Sequence, residues 1–293
     1  MKELSVTEQL MYTTTRVECI HKDGVQSQAT AFFCKLYIDK DRYYDVLVSN
    51  RHVFADLREI TFHITVASSD GNPTTEYINY RLNVNDSHHI IYHPDSNVDL
   101  AIVLIRKVLI DAYEKTKKSL FYKSLSDAQI ADLSDEKFDA LEEILMVGYP
   151  VGIWDDVNNR PIFRRGITAT DPKVDYLGKP MFLIDCACAQ GSSGSPIFSV
   201  RKGYMVDKHG RSLYKHGETV ELMGIQSAMP EIKQFAELAV VNVPTAQKAV
   251  ANVRIPLNLG YIVKATKLKD FIPILQERYK EVEEILQLQK KVN

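Results

Sequence analysis

The stretch Gln190-Gly191-Ser192-Ser193-Gly194-Ser195-Pro196 stands directly before the apolar run Ile197-Phe198-Ser199-Val200. A serine hydroxyl is a weak nucleophile at its free pKa and reacts only with a base and an orienting acid beside it. It also needs backbone N–H groups aimed where negative charge will develop. Flanking glycines allow a turn tight enough to expose a hydroxyl and to point such amides inward. Gly191 and Gly194 bracket Ser193 in this way. A Gly/Ser-rich turn before a strand is also a common structural element, so the meaning of this one depends on partners elsewhere in the chain.

Two upstream segments offer them. In Val46-Leu47-Val48-Ser49-Asn50-Arg51-His52-Val53-Phe54 an apolar strand ends in a polar turn carrying His52. The chain has eight histidines, and His63, His88, His89 and His93 compete with it on composition alone. In Asn97-Val98-Asp99-Leu100-Ala101-Ile102-Val103 an acid immediately precedes an apolar strand, while Asp95 is the better candidate for capping the preceding turn. The order His52, Asp99, Ser193 is the one handled by chymotrypsin-type enzymes, whereas subtilisins and α/β-hydrolases run in other orders. The hydrolase elbow G-x-S-x-G fails locally because Ser195 stands where its second glycine would be.

The surrounding texture fits a β-rich fold. From Arg16 to Val103, short segments such as Ala29–Ile38, Tyr44–Ser49, Glu59–Val66 and Leu100–Ile105 are separated by turn clusters at 68–73 and 93–97. The same texture returns from Ile144, and short strands at this spacing predict all-β barrels or sandwiches. Residues 107–143 read as charged and helical, and 267–293 as an amphipathic helix bent or started at Pro273. The division expected is 12–106, a helical connector 107–143, a second β unit 144–266 and a terminal helix 267–293.

Composition narrows the function classes. With 45% apolar and 25% charged residues, disorder along the whole chain is excluded. A net charge of −2 argues against a dedicated nucleic-acid binder. Four cysteines are too few for a disulfide framework. Cys186 and Cys188 would share one face of a strand, and no further ligands with metal-site spacing accompany them, so neither metal nor cofactor is expected. Glu3, Ser5, Thr7, Glu8 and Gln9 interrupt the apolar run that a secretory signal requires, and no run reaches membrane-spanning length. The expectation is a cytoplasmic protein without a membrane segment.

Jointly, these motifs resemble the trypsin-like, chymotrypsin-fold serine peptidases, and among them the HtrA/DegP-like and bacterial trypsin-like branch. The resemblance covers about residues 15–266. It rests on VSNRHVF (48–54), VDLAIVLI (98–105) and GSSGSP (191–196), with support from GYPVG (148–152), FRRGITA (163–169) and Asp185. It implies a mainly β fold of two six-stranded antiparallel barrels, with a helical inter-barrel connector and a C-terminal helix. It also implies a protein or peptide substrate, cleavage through an acyl-enzyme by Ser193, His52 and Asp99, and an oxyanion hole from the Gly191–Ser192–Ser193 segment. The residue six before the serine, Ala187, takes the position of the S1 floor, with Cys188 beside it and Gln226-Ser227-Ala228 as the facing wall.

Four departures from the resemblance qualify it. Ser192 replaces the aspartate that pairs with a new N-terminus in digestive relatives. Ala187 supplies no carboxylate for a basic P1 side chain. Cys34 lacks its usual partner, because Val53 follows His52. The stretch after Ala265 is too short for a PDZ domain. Substrate or partner selection would then fall to the terminal helix, to a mildly basic hairpin at 201–221, or to a partly helical insertion at 229–258. A silent peptide-binding protein on the same fold and a non-peptidase acyl hydrolase are the rival readings.

Overall fold

The computed structural model describes residues 3–84, 89–202, 205–206, 209–210, 212–213, 218–237 and 250–292. Its organising strand is β2 (Gln26–Tyr37), which is buried on both faces from Ala29 to Cys34. Side chains alternate along a strand with period two. Ala29, Ala31 and Phe33 therefore enter one core with Val17, Leu47, Phe62 and Val103. Phe32, Cys34 and Leu36 face the opposite way, into a second core with Phe198, Leu222, Ile225, Val263 and Phe271. One strand thus serves the interior of the first sheet and the seam with the second unit.

The first sheet has the order β5-β4-β1-β2-β3-β7-β6. Its strands are β1 (Thr14–His21), β3 (Tyr43–Ser49), β4 (Leu57–Ala67), β5 (Pro73–Asn83), β6 (Ile90–Tyr92) and β7 (Ala101–Leu104), together with β2. Two short strands lie off this path: β8 (Leu120–Phe121) beside β4, and β9 (Leu125–Ser126) parallel to β2. The sheet holds nine strands where six are expected: seven lie along the main path, and the connector contributes β8 and β9. The second unit is a closed six-stranded barrel of β10 (Glu143–Gly148), β11 (Ile162–Thr168), β12 (Met181–Asp185), β19 (Leu259–Lys264), β16 (Glu218–Ala228) and β13 (Pro196–Lys202). Its core holds Met146, Phe182, Ile184, Ile197, Met223 and Ile262.

The helical reading of 107–143 is corrected. Only α3 (Arg106–Thr116) is an α-helix, and it ends where Lys117 turns left-handed at φ 57°. Beyond it, Asp132, Asp135 and Asp139 accept hydrogen bonds from the backbone amides of Ser134, Lys137 and Ala140. Short acidic side chains that bond the backbone locally favour turns over helix. Leu133 and Phe138, the apolar residues of this run, plug the barrel core. The insertion at 229–258 is likewise not helical where it is described: β17 (Glu231–Glu237) pairs antiparallel with β18 (Val250–Pro256), and 238–249 lie outside the described residues. In the 201–221 segment, β14 (Met205–Val206) pairs with β15 (Ser212–Leu213), as a hairpin would, and the remaining residues of its tip lie largely outside the described residues.

The terminal helix α4 (Ile272–Val292) carries Pro273 in its first turn, where the missing N–H costs nothing. Leu275 is fully buried at the seam and Tyr279 packs beside it, whereas Val282 and Ile285 are exposed. Among the described residues, no helix is long and apolar enough to cross a membrane, and all four cysteines are free and buried.

Candidate active site

The three residues singled out in the sequence meet at the seam between sheet and barrel. β3 ends at the buried Ser49, and the short helix α2 (Arg51–Phe54) starts two residues later, anchored by Val53 and Phe54. That anchoring leaves His52 half exposed. Asp99 sits between Val98 and Leu100, both buried, and Asn50 donates its side-chain amide to the Asp99 carbonyl at 2.9 Å. His52 Nδ1 lies 2.7 Å from Asp99 Oδ2, and the His52 backbone N–H donates to Oδ1 at 3.0 Å. His52 Nε2 lies 3.2 Å from Ser193 Oγ. With Nδ1–H turned to the carboxylate, Nε2 is left as the acceptor facing the hydroxyl.

Burial opposes ionisation of Asp99, but the hydrogen bond and charge of His52, the Ser227 hydroxyl and the His52 amide outweigh it. The carboxyl is held below the usual carboxylate range. Ser227 is a residue whose use the sequence reading missed. Its hydroxyl donates to Asp99 Oδ2 at 2.6 Å and its carbonyl lies 3.3 Å from Ser193 Oγ. Its place beside Ala228 suggested a pocket wall, and nothing local shows that a hydroxyl from β16 reaches across to the first sheet.

The loop around Ser193 is fixed from several directions. Gly191 and Gly194 both have φ 81°, the left-handed region that favours glycine. Gly194 N–H donates to the Gln226 carbonyl at 2.8 Å, and Thr30 N–H to the Ser193 carbonyl at 2.9 Å. The buried Thr30 hydroxyl donates to the Gly191 carbonyl at 3.1 Å and accepts from Tyr149 N–H at 3.0 Å and Ser195 Oγ at 3.2 Å. A Cβ at Gly194 would collide with the Thr30 carbonyl and Ser49 Oγ. Gly194→Ala therefore combines a left-handed backbone with overpacking, and is expected to cost roughly 2–5 kcal/mol of stability by urea unfolding. A wild-type midpoint for that variant would show that the loop yields.

The amides divide into two groups. Ser192 N–H is used within the loop, donating to the Ala189 carbonyl at 3.0 Å. This removes Ser192 from the expected donor set for an oxyanion. The N–H groups of Gly191 and Ser193 donate to no acceptor among the described residues. The Gln190 carbonyl accepts from Val151 N–H, and in a planar trans peptide the Gly191 N–H then points away from Val151. Val151 makes this contact at φ 50°, a costly conformation for a β-branched residue.

A cleft of about 800 Å³ runs past His52 and Ser193. Ala189, Gln190, Gly191, Gln226, Ser227 and Ala228 line one side, and Glu18, His21, Gln28 and Glu59 extend it over the first sheet. The other two residues expected in a substrate pocket lie off the lining. Ala187 is exposed elsewhere, and Cys188 is buried with Sγ 3.5 Å from Gln226 Oε1. Gln226, which does line the cleft, is itself 3% exposed, and its amide donates to the Ala228 carbonyl at 2.8 Å.

Residues 29–206, more than half of the chain, match the model of the trypsin-like peptidase domain. The chain belongs to that family. Among solved structures, this trypsin-like peptidase domain aligns with an HtrA-type protease, AlgW, with tripeptide. The identity is 14% and the TM-score 0.47, over 92% of this chain and 61% of that one. The thermostable serine protease AL20 from an extremophilic microorganism aligns at 12% identity and TM-score 0.43, over 91% of this chain and 98% of that one. The chain thus spans about three-fifths of the length of the HtrA-type protease. No curated protein matches it.

Proposed function

We propose that this trypsin-like domain is a serine endopeptidase. The observation that carries the reading is the His52 ring standing 2.7 Å from Asp99 Oδ2 and 3.2 Å from Ser193 Oγ, at the floor of an open cleft. In the reaction proposed, Ser193 Oγ attacks the scissile carbonyl while His52 Nε2 takes its proton. His52 returns that proton to the leaving amine, and water then releases the acyl group by the same steps in reverse. Asp99 holds the tautomer and stabilises the imidazolium. Gly191 and Ser193 N–H are the donors suited to the oxyanion, since the other amide of the loop is occupied.

The test is a fluorophosphonate probe on one sample and casein on a separate, unlabelled sample. Labelling of Ser193 with casein cleavage is expected. No labelling of the folded protein sinks the hydrolase reading in favour of a peptide-binding role, and labelling without cleavage of any peptide favours a different acyl substrate.

The P1 residue accepted is proposed to be uncharged or small rather than basic. Among the described residues no carboxylate lines the Ala189–Gly191 and Gln226–Ala228 side of the cleft, and a cation buried there without a partner costs several kcal/mol. Cleavage of a proteome-derived peptide library is expected to leave Lys and Arg depleted at P1; their enrichment would refute the assignment.

A further inference from the structure

β11 carries two adjacent arginines with opposite fates. Arg165 points outward, is well exposed and pairs with Glu143 at 2.5 Å. Arg164 points inward, as the alternation of the strand requires, and lies partly buried behind the loop that carries Ser193. Among the described residues no carboxylate comes within ion-pair distance of it. Its Nε and Nη2 are buried without a hydrogen-bond partner. Burial pulls its pKa below the ordinary arginine value. An uncompensated buried cation is expensive, and an apolar residue of similar length would fill the same volume without that cost.

What Arg164 does hold is specific. A single nitrogen, Nη1, donates to the Ala187 carbonyl at 2.8 Å and to Ser192 Oγ at 2.7 Å. Ser192 Oγ also accepts from the Ala189 N–H at 3.3 Å. The two anchor points lie at the start of the loop and at the residue before Ser193. The segment between them, Cys188 to Gly191, includes the amide that faces the oxyanion position in the reading above. The guanidinium therefore sets the span over which the loop is stretched, and a planar group on a long arm does so from one fixed direction. Ser192 stands where an acid could have neutralised this cation. With a hydroxyl there instead, the cation holds the loop by hydrogen bonds alone.

We propose that Arg164 is a positioning residue that, through Ser192 and Ala187, holds the 187–193 loop in the conformation that presents the Gly191 and Ser193 N–H groups to the reacting carbonyl oxygen. This rests on the hydrolase reading. It names a restraint that acts on the oxyanion donors and leaves the His52–Asp99 pair untouched, and that separation makes it testable. The second-order rate of fluorophosphonate labelling reports nucleophile and oxyanion donors together. The low-field proton resonance of His52 Nδ1–H bonded to Asp99 reports the pair alone.

Arg164→Met is expected to slow labelling by about ten- to a hundredfold, with the His52 resonance and cooperative melting retained. Ser192→Ala, which removes the acceptor without touching the buried side chain, is expected to slow labelling in the same direction by a smaller factor. Arg164→Lys should recover part of the rate. A wild-type rate in Arg164→Met overturns the proposal. So does a wild-type rate in Ser192→Ala combined with loss of the His52 resonance in Arg164→Met, because the arginine would then be supporting the fold as a whole. A wild-type protein that does not label at all overturns the hydrolase reading itself, a result distinguishable from either of these.

Discussion

Ser193→Ala is expected to abolish fluorophosphonate labelling and to lower peptide turnover by about five to six orders of magnitude, with little change in stability. The hydroxyl contributes little to the fold: its neighbours are His52 Nε2 at 3.2 Å and the Ser227 carbonyl at 3.3 Å, both long for an O–H donor. The backbone of Ser193 is held independently of its side chain by Thr30 N–H, and that of Gly194 by the Gln226 carbonyl. His52→Ala is expected to produce a loss of the same size, and the double variant no further loss, because nucleophile and base act as one unit. Turnover of casein and urea unfolding measured on the same preparations check both halves. Residual turnover within a hundredfold of wild type would mean that another residue carries the reaction.

Asp99→Asn is expected to lower turnover by about 10⁴-fold while changing the shape of the site very little. The reason lies in how the carboxylate's acceptors are occupied. Oδ1 takes the His52 backbone N–H, and Oδ2 takes both His52 Nδ1–H and the Ser227 hydroxyl. An asparagine can keep only one of these two positions as an oxygen. If its oxygen stays on the His52 amide, its NH₂ faces Nδ1, which must then accept. The ring proton moves to Nε2, and the base can no longer take the Ser193 proton. If the amide flips, its NH₂ opposes the His52 backbone N–H, and two donors meet in a largely buried site. Either way a good acceptor set becomes a poor one, and the proton inventory of the ring is wrong. Near-normal turnover in Asp99→Asn would show that a different acid orients His52.

The parts of this molecule that were legible in its sequence are those written locally. Asp99 is readable because it is an acid set in an apolar run just ahead of a strand, and His52 because an apolar strand stops just before it. Gly191 and Gly194 mark a left-handed turn in any fold. What was not legible is what other segments deliver. The Ser227 hydroxyl reaches Asp99 from a strand 128 positions away, and Thr30 reaches Gly191 across 161. Gln226 reads as a polar strand residue, yet it is buried, with its side chain bonded to Cys188 and to the Ala228 carbonyl. The connector misled in the opposite way. Its charge and apolar spacing imitate an amphipathic helix, while its aspartates bond their own backbone and turn it. Nothing in FRRGITA shows that Arg164, and not Arg165, turns inward, or that it finds a carbonyl and a hydroxyl there.

The order of the strands in the barrel also bears on how the protein is made. β19 pairs with both β12 and β16, so the ring cannot close before residue 264 has emerged from the ribosome. Until then the Gln226 carbonyl that grips Gly194 belongs to an unfinished wall, although His52 and Asp99 have long since been synthesised on the first sheet. The nascent chain therefore holds a base and an acid without a fixed nucleophile for most of its synthesis. On the peptidase reading proposed above, the strand that closes the barrel is also the one that completes the support of the nucleophile.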